Sequence, residues 1–186
     1  MEVETLLPDN VYYPVGLSSW PDKPGLSFIG NLETLHRPLL AVFSSVKCPA
    51  RLILEAHDLA EELSTQSQAV VSGFQSPAEQ EVFTVLLRGS SPIVICPARG
   101  LDGMRIPMRW REPIRVGRLL VISPFVSTLK RANENTAGQR NLFAASLANE
   151  VLIVHAEPGS KIQQLCDRLR TLGRTVKSLA NLSQRR

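Results

Sequence analysis

Cysteine is scarce in this 186-residue sequence, and its three copies, Cys48, Cys96 and Cys166, are scattered and never spaced as a CxxC pair. That argues against a disulfide framework or a zinc site and points to a reducing cytoplasm. Aromatic residues make up only 5%, too few for a surface that holds a ligand mainly by stacking. No apolar run approaches the roughly twenty residues needed to cross a bilayer. The start Met1-Glu2-Val3-Glu4 is acidic and lacks the basic-then-apolar plan of a secretion signal, so no membrane association is expected.

Enzyme signatures are missing as well. No GxGxxG follows the first predicted strand, which disfavours a dinucleotide cofactor, and no GxxxxGK[ST] marks a P-loop nucleotidase. Neither GxSxG nor HExxH occurs. His36, His57 and His155 stand apart, and no cluster of His, Cys and carboxylates has the spacing of metal ligands. The sequence supports binding better than catalysis, with no cofactor and no metal.

What is present begins with charge. Between Arg99 and Arg118 lie six arginines (Arg99, Arg105, Arg109, Arg111, Arg115, Arg118) against two acids, Asp102 and Glu112. This stretch carries the whole net charge of +4, since the rest of the chain balances. Excess charge confined to one segment reads as a local anion-binding face.

Residues 1–27 are rich in turn formers, among them Pro8-Asp9-Asn10, Tyr13-Pro14 and Trp20-Pro21-Asp22-Lys23-Pro24-Gly25. They read as an extended arm anchored by Tyr12, Tyr13 and Trp20, without a core of its own. Residues 28–186 read as one domain. From Leu39 onward, short apolar runs recur at Leu39–Phe43, Ala69–Val71, Ile93–Cys96, Leu119–Ile122 and Val151–Val154, with a weaker sixth at Thr175–Leu179. Unalternating runs of this length suit strands buried on both faces of a parallel sheet. Between them lie helical stripes such as Leu52, Ala56, Leu59, Ala60 and Leu63. Cys48-Pro49 and Ser76-Pro77 place proline at a first helical position, and Ser76–Glu79, Thr136–Gln139 and Ser160–Gln163 have capping-box spacing. The fold expected is α/β: a Rossmann-like open, mostly parallel sheet of six or more strands with helices on both faces.

In such a sheet ligands bind beyond the carboxyl ends of the strands. The segments there are Ser44-Ser45-Val46-Lys47, Ser72-Gly73-Phe74-Gln75-Ser76, Pro97-Ala98-Arg99-Gly100, Ser123-Pro124 and His155–Lys161. Small, hydroxylated or basic residues leading into helix N-termini describe an anion site. Phe74 and Phe125 are the aromatics near these exits, and Arg140, beside the Thr136–Gln139 box, is expected at a helix start with its guanidinium reaching the sheet edge.

These residues, in this order, resemble the Rossmann-like domain of the DNA-processing DprA/Smf family. The resemblance runs from Tyr13-Pro14 and Phe28–Leu32 through Ser72-Gly73, Pro97–Asp102, Gly117–Pro124 and Arg140-Asn141 to Val151–Ala156 and Gly159-Ser160-Lys161. It implies a protein that binds single-stranded DNA in a basic pocket, supports loading of a RecA-type recombinase during natural transformation, and forms a homodimer. By position, Ser44-Ser45 fall on the family's Gly-Ser-Arg turn, with Val46 at the arginine and Lys47 next to it. Ser72-Gly73 match its Ser-Gly, while Pro77-Ala78-Glu79 stand for Gly-Ile-Asp. Arg140-Asn141 match the start of Arg-Asn-Arg, with Leu142 at the second arginine, and Gly159-Ser160 match part of its last turn. The strand-exit reading and the resemblance together give nucleic-acid or phosphate contacts at Ser44, Ser45, Lys47, Ser72, Gly73, Phe74, Arg99, Gly100, Arg140, Asn141, Gly159, Ser160 and Lys161 as the expectation. The alternative is a nucleotide or nucleotide-derived ligand in the same cleft, bound or sensed.

Overall fold

The structure is a computed structural model that describes residues 2–17, 20 and 23–183. Pro21 and Asp22, in the turn-rich part of the arm, lie outside the described residues. Eight strands form one sheet in the order β1-β2-β6-β5-β4-β3-β7-β8. Six of them are mutually parallel: β3 (Leu39–Ser44), β4 (Ala69–Ser72), β5 (Ile93–Ile95), β6 (Leu119–Ser123), β7 (Glu150–His155) and β8 (Val176–Ser178). These are the six apolar runs of the sequence, and every residue of β3 to β6 is buried.

The arm contributes more than its composition implies. Glu4–Leu6 (β1) pairs antiparallel with Leu26–Ile29 (β2), which pairs antiparallel with β6. Leu6, Leu17 and Leu26 are fully buried in the common core. Three apolar side chains set among turn formers were enough to recruit the segment, because burying each stabilises by about 1.5–3 kcal/mol.

Helices cover both faces. Helix α1 (Ala50–Leu63), α2 (Pro77–Arg88), α3 (Met108–Arg115) and α6 (Leu179–Ser183) pack on one face, and α4 (Glu134–Leu147) and α5 (Lys161–Thr171) on the other. The chain winds outward from β3 to β6 on one face, then returns on the other to add β7 beside β3. The reversal creates a switch point between β3 and β7, where an open α/β sheet has its crevice.

Three helix starts differ from the sequence reading. Pro49 is the N-cap of α1 and not its first helical residue, and no side chain caps that helix. The box of α4 is Asn133 with Thr136, whose side chain and backbone groups bond reciprocally. The expected Thr136–Gln139 box is one turn too late, because asparagine caps as well as threonine and stands upstream. Ser160 caps α5 by accepting from the Gln163 N–H at 3.2 Å, as a simple serine cap and not a reciprocal box.

Candidate nucleic-acid interface

Three strand exits meet at the switch point. The Ser45 N–H donates to the His155 carbonyl at 2.9 Å, fastening the chain after β3 to the end of β7. The Ser45 hydroxyl accepts from the Glu157 N–H at 3.0 Å and lies 3.0 Å from the Ser160 hydroxyl. Two hydroxyls thus face each other where α5 begins, with the unpaired first-turn N–H groups of that helix beyond them. Lys47, Gly159 and Lys161 around them are exposed, and Ser160 is half-buried.

The β4 exit is tied to the β3 exit from below. The Glu79 carboxylate, 3% exposed, accepts from the Ser44 N–H through Oε1 and from the Gln75 N–H through Oε2, each at 2.9 Å. The sequence reading assigned Glu79 to capping its own helix. Its longer role, 35 positions back to Ser44, leaves no local signal. The Ser76 hydroxyl takes over the cap by accepting from the Glu79 N–H at 3.3 Å.

Arg140 is the principal departure. It is the seventh residue of α4, not its first, and is 4% exposed. Its Nε donates to Asn141 Oδ1 at 2.7 Å and its Nη1 to the Cys96 carbonyl at 3.3 Å. The guanidinium packs against the β4 exit, where a Cβ on Gly73 would overlap it. It therefore does not reach out bidentately to an anion at the edge. Burial favours its neutral form, opposed by the nearby Glu79 carboxylate. Burial also pushes the Cys96 thiol up to about 12, against the pull of Arg140.

Phe74 is corrected in the same way. Its backbone is left-handed, with φ of 51°, and its ring is 6% exposed and stacked on Phe83 at 4.7 Å. The left-handed turn directs the ring down into the core, so it is no platform for a base. Ser44 and Ser72 are buried, the latter accepting from the Phe74 N–H at 3.3 Å. Gly100 is buried beneath the Val126 carbonyl, while Arg99 is half-buried with its Nε on the Gly100 carbonyl at 3.1 Å. The sequence-predicted residues thus sort into an accessible set (Lys47, Arg99, Gly159, Ser160 and Lys161) and a supporting set beneath (Ser44, Ser72, Gly73, Phe74, Gly100, Arg140 and Asn141), with the buried Ser45 hydroxyl joining the two through Ser160.

A cavity of about 1090 Å³ opens beside this cleft between α4 and α5. Asn141, Lys161, Pro124 and Phe125 line the end next to the strand exits, and Leu142, Leu165 and Leu169 line it further along. It was missed in the sequence because it lies between two helices whose facing residues are 20 or more positions apart. Among the described residues no group of three His, Cys, Asp or Glu could hold a metal ion, and no helix is long and apolar enough to cross a membrane.

The family model for DNA recombination-mediator protein A matches residues 4–176. DNA processing protein A from Streptococcus pneumoniae is similar in structure, with a TM-score of 0.78 and 22% identity over 96% of this chain and 63% of that one. DNA processing protein A from Helicobacter pylori, studied for its single-stranded DNA binding mode, has a TM-score of 0.77 and 16% identity over 96% of this chain and 80% of that one. The molybdenum cofactor carrier protein of Chlamydomonas reinhardtii is more distant, with a TM-score of 0.51 and 16% identity over 76% of each chain. No curated protein matches the chain. The chain spans 63% of the pneumococcal protein, and at these identities the solved structures establish the shared fold. The family match over nearly the full length settles kinship: this chain belongs to the DNA recombination-mediator protein A family.

Proposed function

We propose that this DNA-processing protein binds single-stranded DNA along the carboxyl edge of its sheet, by its phosphates and with little base selectivity. The observation that carries the reading is the Ser45–Ser160 hydroxyl pair at the switch point, set between the exposed Lys47 and Lys161. The half-buried Ser160 hydroxyl, held by the buried Ser45 hydroxyl, can turn its hydrogen to a phosphate oxygen, and the first-turn N–H groups of α5 add donors and a favourable dipole. The uncapped start of α1, beyond Pro49, supplies further backbone N–H groups on the same edge. Arg99 and the lysines neutralise charge. Gly159 leaves open space where a side chain could obstruct the backbone.

The supporting set holds this edge in shape. Glu79 fixes the β3 and β4 exits relative to each other. Arg140 and Asn141 fill the volume under Ser72-Gly73, and the Arg140 charge is balanced by the nearby Glu79 carboxylate. We place the protein in the cytoplasm, where its unpaired cysteines stay reduced. We extend the same proposal to pairing with a second copy and to delivery of the strand to a RecA-type recombinase.

Titration of a labelled oligo-dT at about 50 mM and about 200 mM salt tests the reading. Several phosphate contacts give a steep fall in affinity with salt. A shallow slope, with displacement of the oligonucleotide by a mononucleotide, would instead identify a small-nucleotide site in the same cleft.

A further inference from the structure

The basic segment counted in the sequence is only partly used by the fold. Arg118 donates to the carbonyls of Leu86, Leu87 and Ser91, closing the end of α2. Arg115 is held by the Glu112 carboxylate through two hydrogen bonds of 2.6 and 2.7 Å. Besides Arg99, already placed at the cleft, Arg105, Arg109 and Arg111 remain. Arg105 and Arg111 are exposed, with no hydrogen bond or ion pair among the described residues. Arg109 lies over the Phe83 ring, 5.9 Å from its centroid.

Arg109 and Arg111 stand on α3, and Arg105 in the loop before it, between Met104 and Ile106, which pack against the core. Pro113 and Ile114 of α3 are buried, and Trp110 packs edge-on against Phe83 at 5.7 Å. This surface joins the carboxyl edge of the sheet through the loops after β5 and β6. The Ser123 hydroxyl donates to the Arg99 carbonyl at 2.7 Å, the Gly100 N–H to the Leu129 carbonyl at 2.9 Å, and Lys130 Nζ to the Asp102 carbonyl at 2.9 Å. The loops after β5 and β6 are thereby laced together. Along them run Arg99, Lys130 and Arg105 toward α3, with the exposed Asp102 as the acid between.

We infer that the α3 surface, through Arg105, Arg109 and Arg111, is a second phosphate-contacting leg for the same single strand, which leaves the switch-point cleft across the β5 and β6 loops. This rests on the proposed binding of single-stranded DNA at that cleft. Planar guanidiniums with no carboxylate of their own match phosphodiester oxygens in pairs, and cations spaced along the edge away from the cleft select a polyanion that spans them over a small ligand. A strand too short to span both places touches the cleft alone. A longer one engages both, and the second engagement is intramolecular.

The test uses the full chain and two labelled oligo-dT probes, of about six and about twenty nucleotides, bracketing the span of a single cleft. The Arg105→Gln/Arg109→Gln/Arg111→Gln variant is expected to bind the short probe as the parent does. It should bind the long probe about tenfold more weakly, with a log–log salt slope smaller by about 2, as three lost single-strand phosphate contacts dictate. Removing the same charge from the amino edge, in Arg88→Gln/Arg170→Gln/Lys177→Gln, should leave both probes unchanged. If the triple α3 variant melts early, Arg105→Gln/Arg111→Gln, which removes no internal contact, should show the same length-selective loss at a smaller size. Equal weakening of both probes, no weakening of the long probe, or equal weakening by the amino-edge variant overturns the inference. Failure of the parent to bind either probe overturns the cleft reading as well, and is distinguishable because it needs no variant.

Discussion

Gly73 and Arg140 are predicted to be a single energetic unit. A methyl group on residue 73 would occupy the place of the Arg140 guanidinium, which is enclosed at 4% exposure and cannot move aside freely. Gly73→Ala therefore breaks the bonds from Arg140 to Asn141 Oδ1 and to the Cys96 carbonyl. Hydrogen bonds from a charged donor contribute about 1.5–3 kcal/mol each. Part of that loss is offset because the displaced cation regains hydration, so a net cost of about 3 kcal/mol is expected for Gly73→Ala. Arg140→Ala loses the same two bonds and should cost about as much. In the double variant the new methyl enters the space the guanidinium left, so the total should stay near that of either single change. The coupling should then be about 2–3 kcal/mol, at the upper end for residues in contact. Urea denaturation of the four proteins, read as midpoint and slope, measures it. Additive costs, or a Gly73→Ala protein as stable as the parent, would refute the placement of Arg140 beneath the β4 exit.

Three further outcomes follow from the same contacts. Glu79→Ala should destabilise by about 2 kcal/mol, since it strands the buried Ser44 N–H and releases the more exposed Gln75 N–H, and urea denaturation again reads it. Ser45→Ala removes the link to Ser160 and to the Glu157 N–H; it should cost about 1 kcal/mol of stability and weaken oligo-dT binding, measured by fluorescence anisotropy, while a variant that binds unchanged would remove the hydroxyl pair from the site. Cys96 is raised from 9.0 to about 12 by burial, so between these values the unfolded chain has released a proton that the native state still holds. Stability should accordingly be flat with respect to this group below pH about 9 and fall as pH rises toward about 12, with a shallower fall in Cys96→Ala; identical alkaline profiles would contradict it.

The sheet was legible because its six parallel strands are buried on both faces, and two-sided burial writes continuous apolar runs such as Leu119–Ile122. Strand β1 was not legible. Glu4–Leu6 is an edge strand with one buried residue, and its pairing with Leu26–Phe28 is a matter of tertiary fit. The site was legible in outline, because hydroxyls, glycines and cations after successive strands mark an anion-binding edge. Which of them face the edge was not. Arg140 and Phe74 read as surface groups because arginine and a loop aromatic usually are. One is drawn inward by the space over Gly73, the other by its left-handed backbone and by Phe83, and neither cause is local in sequence. The converse holds for Glu79, whose cap spacing concealed a contact made across two strands.

The central claim is that single-stranded DNA lies on the carboxyl edge at the β3–β7 switch point. Hydrogen–deuterium exchange of the full chain, with and without an oligo-dT of about twenty nucleotides, tests it most directly, since this length exceeds one binding cleft. Protection is expected in residues 45–47, 73–76 and 157–162. Protection confined to the opposite edge, in residues 64–68 and 89–92, or absent from the β3 and β7 exits while the oligonucleotide is bound, would contradict it.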